Sequence, residues 1–236
     1  TIRVDACGLQ CPGPILKMKK TMDGLASGER VEITATDPGF PRDAAAWCSS
    51  TGNQLISKEA SGGKSVVIIE KGEPKACNIV TSCEGKGKTF IMFSDDLDKA
   101  LATFVLANGA AATGQKVTIF FTFWGLNVIK KLHKPNVEKD IFGKMLPSSS
   151  RKLKLSKMSM GGIGGKMMRY IMNRKGIDSL ESLRQQALEN GVEFIACQMS
   201  MDVMGVKQEE LLDEVTIGGV ATYMERADNA NINLFI

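Results

Sequence analysis

Cys11 is the residue of the N-terminal region best placed for chemistry, because it stands directly before Pro12 at the predicted start of a helix. Unpaired backbone N–H groups and the positive end of the helix dipole stabilise an anion at such a position. We therefore expect the pKa of the Cys11 thiol to lie below the ordinary cysteine value. A thiolate attacks sulfur and can take it up as a persulfide. The structural alternative for Cys11 is a small apolar cap before the helix.

A second candidate nucleophile, Cys197, ends the predicted buried strand VEFIA at residues 192–196. In an open α/β sheet, reactive groups lie just outside the carboxyl ends of the strands, and Cys197 has that position in the sequence. Met199, Met201 and Met204 come shortly after it. Because Met is adaptable and fills irregular gaps, we expect these side chains to form a pocket that excludes water from a labile persulfide. The alternative is a core cysteine beside core methionines.

Two other cysteines belong to the same N-terminal region. Cys7 lies four residues before Cys11, from where it can resolve a Cys11 persulfide into a disulfide; the alternative is a buried thiol at a strand end. The same pair is the basis of a dithiol redox hypothesis, for which Cys-x-x-x-Cys is a less favourable spacing than Cys-x-x-Cys. Cys48 lies in the run AAAWC, and its helical spacing predicts a core position.

Cys77 and Cys83 lie in a predicted linker, as possible auxiliary thiols. Zinc sites usually have four ligands and more closely spaced pairs, and His133 is the sole histidine, so we expect no metal site. A linker thiol that swings between two modules is the other interpretation. The six cysteines lack the spacing of a disulfide scaffold and no signal peptide precedes them, which favours a reducing cytoplasm.

Residues 1–73 predict the element order β-α-β-α-β-β. Pro12 suits a first helical turn because its missing N–H would be unpaired there anyway. The Ser-Gly-Gly sequence at residues 61–63 is a hairpin signal between the last two strands. Two helices on one four-stranded sheet give a two-layer α/β sandwich. Residues 74–87 are predicted to be the linker to a second unit.

Residues 88–236 alternate strands with helices, and the strands are apolar enough to be buried on both faces. This pattern predicts a three-layer α/β domain with a mostly parallel, doubly wound sheet. Residues 100–129 carry a single charge, on Lys116, but they contain no clean run of about 20 apolar residues. A buried helix and a buried strand are therefore favoured over a membrane span.

Residues 130–175 form a basic insertion, also rich in Met and Gly, within this second unit. Thirteen Lys and Arg residues stand against Glu138 and Asp140, a net charge of +11. Four interpretations are open: a mobile solvated segment, a lid over Cys197, an amphipathic surface for a membrane or partner, and a binding region for a phosphate-bearing thiol such as coenzyme A. The glycines lack P-loop spacing, and the few aromatic residues argue against nucleic-acid binding.

The run GLQCPGP at residues 8–14 resembles the Gly-Leu-x-Cys-Pro-x-Pro motif of the TusA family of small sulfur carriers. The residues that match the motif around Cys11 are Gly8, Leu9, Pro12 and Pro14. The run DPGFPRDAAAWC at residues 37–48 resembles the same family, so the likeness covers nearly all of residues 1–73. The resemblance implies that Cys11 carries sulfane sulfur as a persulfide.

The second unit resembles the DsrE/DsrF/DsrH-like family. Three runs carry this likeness: FWGLNVIKK at residues 123–131, IACQMSMDVMG at residues 195–205 and NINLFI at residues 231–236. The resemblance covers about residues 88–236. It implies that Cys197 binds sulfur and that the protein is a homo-oligomer.

These features predict a cytoplasmic sulfur-trafficking protein that relays sulfane sulfur between Cys11 and Cys197. Such exchange suits a carrier or a sulfurtransferase, and needs no cofactor beyond the cysteine persulfide, although a coenzyme A persulfide is a possible substrate. The expected partners are sulfur-donor and sulfur-acceptor proteins, such as rhodanese-like or disulfide-reductase domains. Two alternatives stay open: the C-terminal delivery module of a larger flavin-dependent coenzyme A-disulfide or persulfide reductase, and a dithiol redox module that uses Cys7 and Cys11.

Overall fold

The computed structural model describes residues 1–9, 12–73, 87–133, 135, 137 and 141–236. Cys11, Cys77 and Cys83 lie outside the described residues, as does nearly all of the predicted linker, so the roles assigned to them stay predictions. The described chain forms two sheets, each with its own helices. We refer to residues 1–73 as the N-terminal domain and to residues 87–236 as the C-terminal domain.

The N-terminal domain has the predicted order of elements. They are β1 (Ile2–Ala6), α1 (Gly13–Asp23), β2 (Arg30–Ala35), α2 (Phe40–Thr51), β3 (Gln54–Ser61) and β4 (Lys64–Glu70). In the sheet, ordered β1-β2-β4-β3, β1 is parallel to β2 and the other two pairs are antiparallel. Gly62 and Gly63 both have positive φ, as a two-residue hairpin turn requires. The two-layer α/β prediction is confirmed.

One apolar core lies between this sheet and its two helices. Val31 and Ile33 point into it from β2, because alternate residues of a strand face the same side. Met18 and Met22, one helical turn apart on α1, cover them. Cys48 is buried in the same core, as predicted. Burial raises the pKa of the Cys48 thiol to about 11, which keeps it protonated at neutral pH.

The C-terminal domain is a parallel sheet between two helical layers. Its elements are β5 (Gly87–Met92), α3 (Leu97–Ala112), β6 (Val117–Phe121), α4 (Ile141–Met145), α5 (Ile163–Arg174), α6 (Leu180–Glu189), β7 (Glu193–Cys197), α7 (Gln198–Met204), β8 (Thr216–Gly218), α8 (Val220–Asp228) and β9 (Ala230–Phe235). The strand order is β8-β7-β6-β5-β9, with every neighbouring pair parallel. The predicted three-layer α/β architecture is confirmed. Among the residues that the structure describes, no helix has the length and apolar character that crossing a bilayer takes.

The two faces of this sheet are covered by different helices. Phe194 and Ala196 of β7 pack in the large core that includes α3 and α6. Ile195 and Cys197, the alternate residues of the same strand, pack with Tyr223 of α8. The side chain of Cys197 therefore belongs to the α8 side of the sheet.

The basic insertion contains regular structure in its described part, including α4 and α5. Lys130 is fully buried, and Arg169 pairs with Glu181 at 3.0 Å. For Lys130 the solvated interpretation is wrong, whereas Arg169 is paired but still partly exposed. Other cations of the insertion, such as Lys166 and Arg174, are exposed.

A buried ion pair fixes the segment that follows β6. The ammonium of Lys130 and the carboxylate of Glu210 are 3.8 Å apart, and their side chains are only 1% and 2% exposed. The same ammonium donates to the carbonyl oxygen of Pro147 at 3.0 Å. Arg184 donates to the carbonyl oxygens of Val128 and Lys130 at 2.7 and 3.2 Å. These bonds tie residues 123–131 to the rest of the domain.

We predict that Lys130→Ala destabilises the C-terminal domain by about 3–5 kcal/mol, because the Glu210 carboxylate stays buried without the ammonium that pairs with it. Lys131→Ala is the matched control: Lys131 pairs with Asp213 at 2.7 Å, but Asp213 is 86% exposed, and loss of such a pair costs about 0–1 kcal/mol. Urea denaturation measures both free energies of unfolding. Equal losses in the two variants would contradict the structural role of the buried pair.

Candidate functional site

The loop that precedes α1 is held to the end of β2. The N–H of Gly8 donates to Thr36 Oγ1 at 2.8 Å, and the N–H of Leu9 donates to the carbonyl oxygen of Ala6 at 3.3 Å. Gly8 has a φ of +80°, a conformation that residues with a Cβ rarely adopt. The described residues thus lead the chain to within two positions of Cys11 and resume at Pro12.

No side chain among the described residues caps the first turn of α1, whose residues are buried. Pro12 precedes the helix and Pro14 lies in its first turn, no side-chain hydrogen bond caps this end, and no acidic residue occupies the first turn. The backbone N–H groups and the helix dipole therefore lack the side-chain oxygen that normally satisfies them, in the part of the chain that the structure describes. An anionic sulfur directly before Pro12 would be stabilised there.

Cys7 has a different electrostatic environment. Its N–H donates to Asp5 Oδ1 at 2.9 Å, and its thiol lies 4.0 Å from the carbonyl oxygen of Thr34. The neighbouring Asp5 carboxylate, by hydrogen bonding and by its charge, raises the pKa of the Cys7 thiol. Because the thiolate is the attacking form, this environment makes Cys7 a poor nucleophile at neutral pH.

Cys197 is the last residue of β7 and directly precedes α7, at the carboxyl end of the sheet as predicted. It is 6% exposed and packs with Phe120, Ile195 and Tyr223. None of these three residues belongs to the basic insertion, so the described contacts give no support to a lid over Cys197. The thiol lies on the α8 face of the sheet.

The predicted methionine pocket around Cys197 is wrong. Met201 and Met204 are buried in the large core on the α3 side of the sheet, and Met199 is 55% exposed. The helical turn of α7 carries these side chains away from the strand-end cysteine. Aromatic rings take their place, since Phe120 and Tyr223 pack with each other at 5.2 Å between ring centroids.

The segment after β6, residues 123–131, carries part of the family resemblance, but its strained conformation was not predicted from the sequence. Phe123 has a φ of +48°, and such strain in a residue with a side chain persists only where the surrounding structure imposes it. A Cβ on Gly125 would collide with the carbonyl oxygen of Met92, so this position requires glycine. Thr122 Oγ1 and Ser200 Oγ share a hydrogen bond of 2.7 Å, which joins the segment to α7. The run FWG, directly after a buried strand, is the sequence signal that could have indicated this tight turn.

Cys11 lies outside the described residues, but its described neighbours in sequence lie on the α3 side of the C-terminal domain. Gly8, in the loop that contains Cys11, lies against Gly176, and α1 packs against α3. Cys197 lies on the opposite face of the sheet from α3. The two candidate sites are therefore separated by a helical layer and the sheet.

Comparisons with known proteins agree with this division of the chain. The sequence model of the DsrE/DsrF/DrsH-like family matches residues 85–235, and that of Sulfurtransferase TusA matches residues 2–71. An uncharacterized protein of Bacillus subtilis, YrkE, is 43% identical over 64% of this chain and 97% of its own length. The sulfur carrier protein DsrE2 of Allochromatium vinosum is 38% identical over 65% of this chain and 99% of its own.

The N-terminal domain has relatives of its own. The sulfur carrier protein TusA of Allochromatium vinosum is 44% identical over 29% of this chain and 90% of its own length. These three relatives each match part of the chain, whereas the uncharacterized protein MJ0760 of Methanocaldococcus jannaschii is 22% identical over 97% of this chain and 71% of its own length. The protein belongs to the DsrE/DsrF/DrsH-like family, with a domain of the TusA family fused in front of it.

Proposed function

We propose that this chain carries sulfane sulfur as a persulfide on Cys11 and exchanges it with Cys197. The observation that supports this most is the coincidence of the TusA motif at residues 8–14 with the uncapped start of α1. A TusA-family domain and a DsrE-like domain in one chain place two candidate sulfur-binding cysteines in a single molecule. A sulfur relay accounts for such a fusion.

The exchange balances without an external oxidant or reductant. The Cys11 thiolate attacks the outer sulfur of a donor persulfide and forms a new S–S bond; the donor S–S bond breaks, and the donor leaves as a thiolate. The Cys197 thiolate then attacks the outer sulfur on Cys11 in the same way, and the Cys11 thiolate is the leaving group. The sulfane sulfur keeps its oxidation state throughout, so the proposal requires no resident redox cofactor.

The neighbouring residues support the two steps differently. At Cys11, the uncapped end of α1 favours the anion both as an attacking thiolate and as a leaving group, and Pro12 fixes the backbone that presents it. At Cys197, the apolar surroundings formed by Phe120 and Tyr223 shield a bound persulfide from water. The first cysteine thus suits exchange with other proteins, and the second suits temporary storage.

The partners required are proteins that present or accept a persulfide. Rhodanese-like and disulfide-reductase domains have the matching chemistry on the donor and acceptor sides. A reducing compartment such as the cytoplasm and a homo-oligomeric assembly belong to the same proposal.

We predict that Cys11→Ser abolishes sulfur loading of the N-terminal domain, because the attacking thiolate is lost. After incubation with a persulfide donor, mass spectrometry of peptides from residues 1–73 should show a gain of one sulfur atom, about 32 Da, in the wild type only. Cys48→Ala is the matched control and should load normally, since Cys48 is buried and protonated. Loading of residues 1–73 in Cys11→Ser would overturn the proposal.

We predict that Cys7 reacts with iodoacetamide only at a pH above that of an ordinary cysteine, because Asp5 raises the pKa of its thiol. Asp5→Asn removes that charge, so the pH midpoint of Cys7 alkylation should fall. The control is Asp23→Asn, the same change at an exposed residue of α1, which should leave the midpoint unchanged. Peptide mapping across a pH series measures both midpoints. A ready, reversible disulfide between Cys7 and Cys11 at physiological thiol potentials would instead favour the dithiol redox hypothesis.

A further inference from the structure

The N-terminal domain is seated on the end of α3. Its apolar core includes Ala112, the last residue of that helix. The indole N–H of Trp47, itself buried in this core, donates to the carbonyl oxygen of Ala112 at 2.5 Å. The helices α1 and α3 pack against each other beside this contact. These contacts join two domains whose sheets are otherwise separate.

A second contact involves the loop that contains Cys11. Gly176, in the turn after α5, has a φ of +65°, and a Cβ built on it would collide with the carbonyl oxygen of Gly8. The collision involves backbone rather than the end of a flexible side chain, so any residue other than glycine would require the Gly8 or the Gly176 backbone to move. Gly8, three residues before Cys11, therefore lies directly on the C-terminal domain.

The seated arrangement keeps the cysteine loop away from Cys197. Packed helices lie about 8–10 Å apart, and α3 lies between the N-terminal domain and the sheet. Cys197 packs on the far face of that sheet with Tyr223. Persulfide exchange requires the two sulfur atoms to come into contact, and two structural layers intervene.

We propose that this interface is a releasable seat for the N-terminal domain, and that sulfur passes between Cys11 and Cys197 only after the domain has left it. The seat is defined by two contacts, Trp47 with Ala112 and Gly8 with Gly176. The sulfur step of this inference rests on the function proposed above, whereas the seat itself rests on these contacts alone.

The interface has the properties of one that opens. Among the described residues, Ala112 is the one residue of the C-terminal domain in the apolar core of the N-terminal domain. A cavity of about 210 Å³ remains in the seam, bordered by Lys19, Lys71 and Gly114. Contacts of limited extent between domains of one chain allow relative motion.

The connection between the domains is long enough for this release. Glu73 borders the seam cavity beside Ala112, and Lys88 donates to the carbonyl oxygen of Lys116 at 2.8 Å, so both ends of the connection lie near residues 112–116. The 13 residues between positions 73 and 87 can span up to about 45 Å when extended. A released domain would stay at high effective concentration near its own chain.

The test compares Gly176→Ala with Gly191→Ala in the full chain. Both glycines have positive φ, +65° and +77°, so both variants carry the same kind of backbone strain, but a Cβ at position 191 meets no atom within 4 Å. Gly176→Ala should open the seat. In a Trp124→Phe background, Trp47 is the one fluorescent tryptophan. Its emission maximum should shift to longer wavelength in Gly176→Ala, because the indole loses its hydrogen bond to Ala112 and meets water. Gly191→Ala should cause no shift.

The second readout is sulfur transfer in chains that retain Trp124. After Cys11 has been loaded from a persulfide donor, the rate at which sulfur appears on Cys197 is followed by peptide mass spectrometry. Gly176→Ala should raise this rate in proportion to the released fraction, and Gly191→Ala should leave it at the wild-type value. If Gly176→Ala fails to fold, Ala112→Arg disrupts the seat at its other contact, the one with Trp47. It should give the same red shift of Trp47 emission and the same faster sulfur transfer.

Three results would count against the inference, and they differ from one another. Unshifted Trp47 emission in both seat variants would show that the seat does not exist. A red shift without faster transfer would show that release is not the limiting requirement. Absence of sulfur on Cys11 in the wild type would overturn the proposed function and with it the transfer step, while a Trp47 shift would still support the seat.

Discussion

The uncapped first turn of α1 is the feature on which the proposed chemistry of this chain depends. A helix start normally receives a side-chain oxygen or an acidic residue, and among the described residues α1 has neither, with Pro12 before it and Pro14 inside it. The hydrogen bond from Gly8 to Thr36 fixes the loop that leads to this point. The N-terminal sheet and its core serve to hold that loop and that helix in one geometry. Because backbone amides supply the stabilisation, a small domain with few charges near Cys11 can still favour a sulfur anion.

The two-residue period of a β-strand sets the second constraint. Since Phe194 and Ala196 must face the core beneath α3, the alternate residue Cys197 faces α8. The N-terminal domain contacts α3, so the fusion of the two domains does not by itself place their cysteines side by side. A shift of β7 by one residue would turn Cys197 toward the α3 side and would carry the charged Glu193, on the same face of the strand, into that core. The position of Cys197 on the face away from α3 is therefore a consequence of the fold.

Much of the fold followed from local sequence signals, and the errors have physical causes. Strand alternation, the glycine hairpin and the position of Cys197 at a strand end all depend on neighbouring residues, and these predictions are confirmed. The burial of Lys130 depends on Glu210, 80 residues later in the sequence, and no local pattern contains that partner. The prediction of a methionine pocket was wrong because proximity in sequence does not determine which side of a helix a residue faces. Cys11 was assigned by its motif, and the structure describes only its neighbours.

The central claim is that the sulfur of Cys11 is an anion at neutral pH, stabilised by the start of α1. The most direct measurement is the pH dependence of the alkylation rate of Cys11 in the full chain, with each cysteine followed by its own peptide. The account predicts a midpoint below that of an ordinary cysteine thiol, with rapid reaction at neutral pH. A midpoint at or above the ordinary value would contradict it, because the thiol would then lack the anionic form on which sulfur transfer depends.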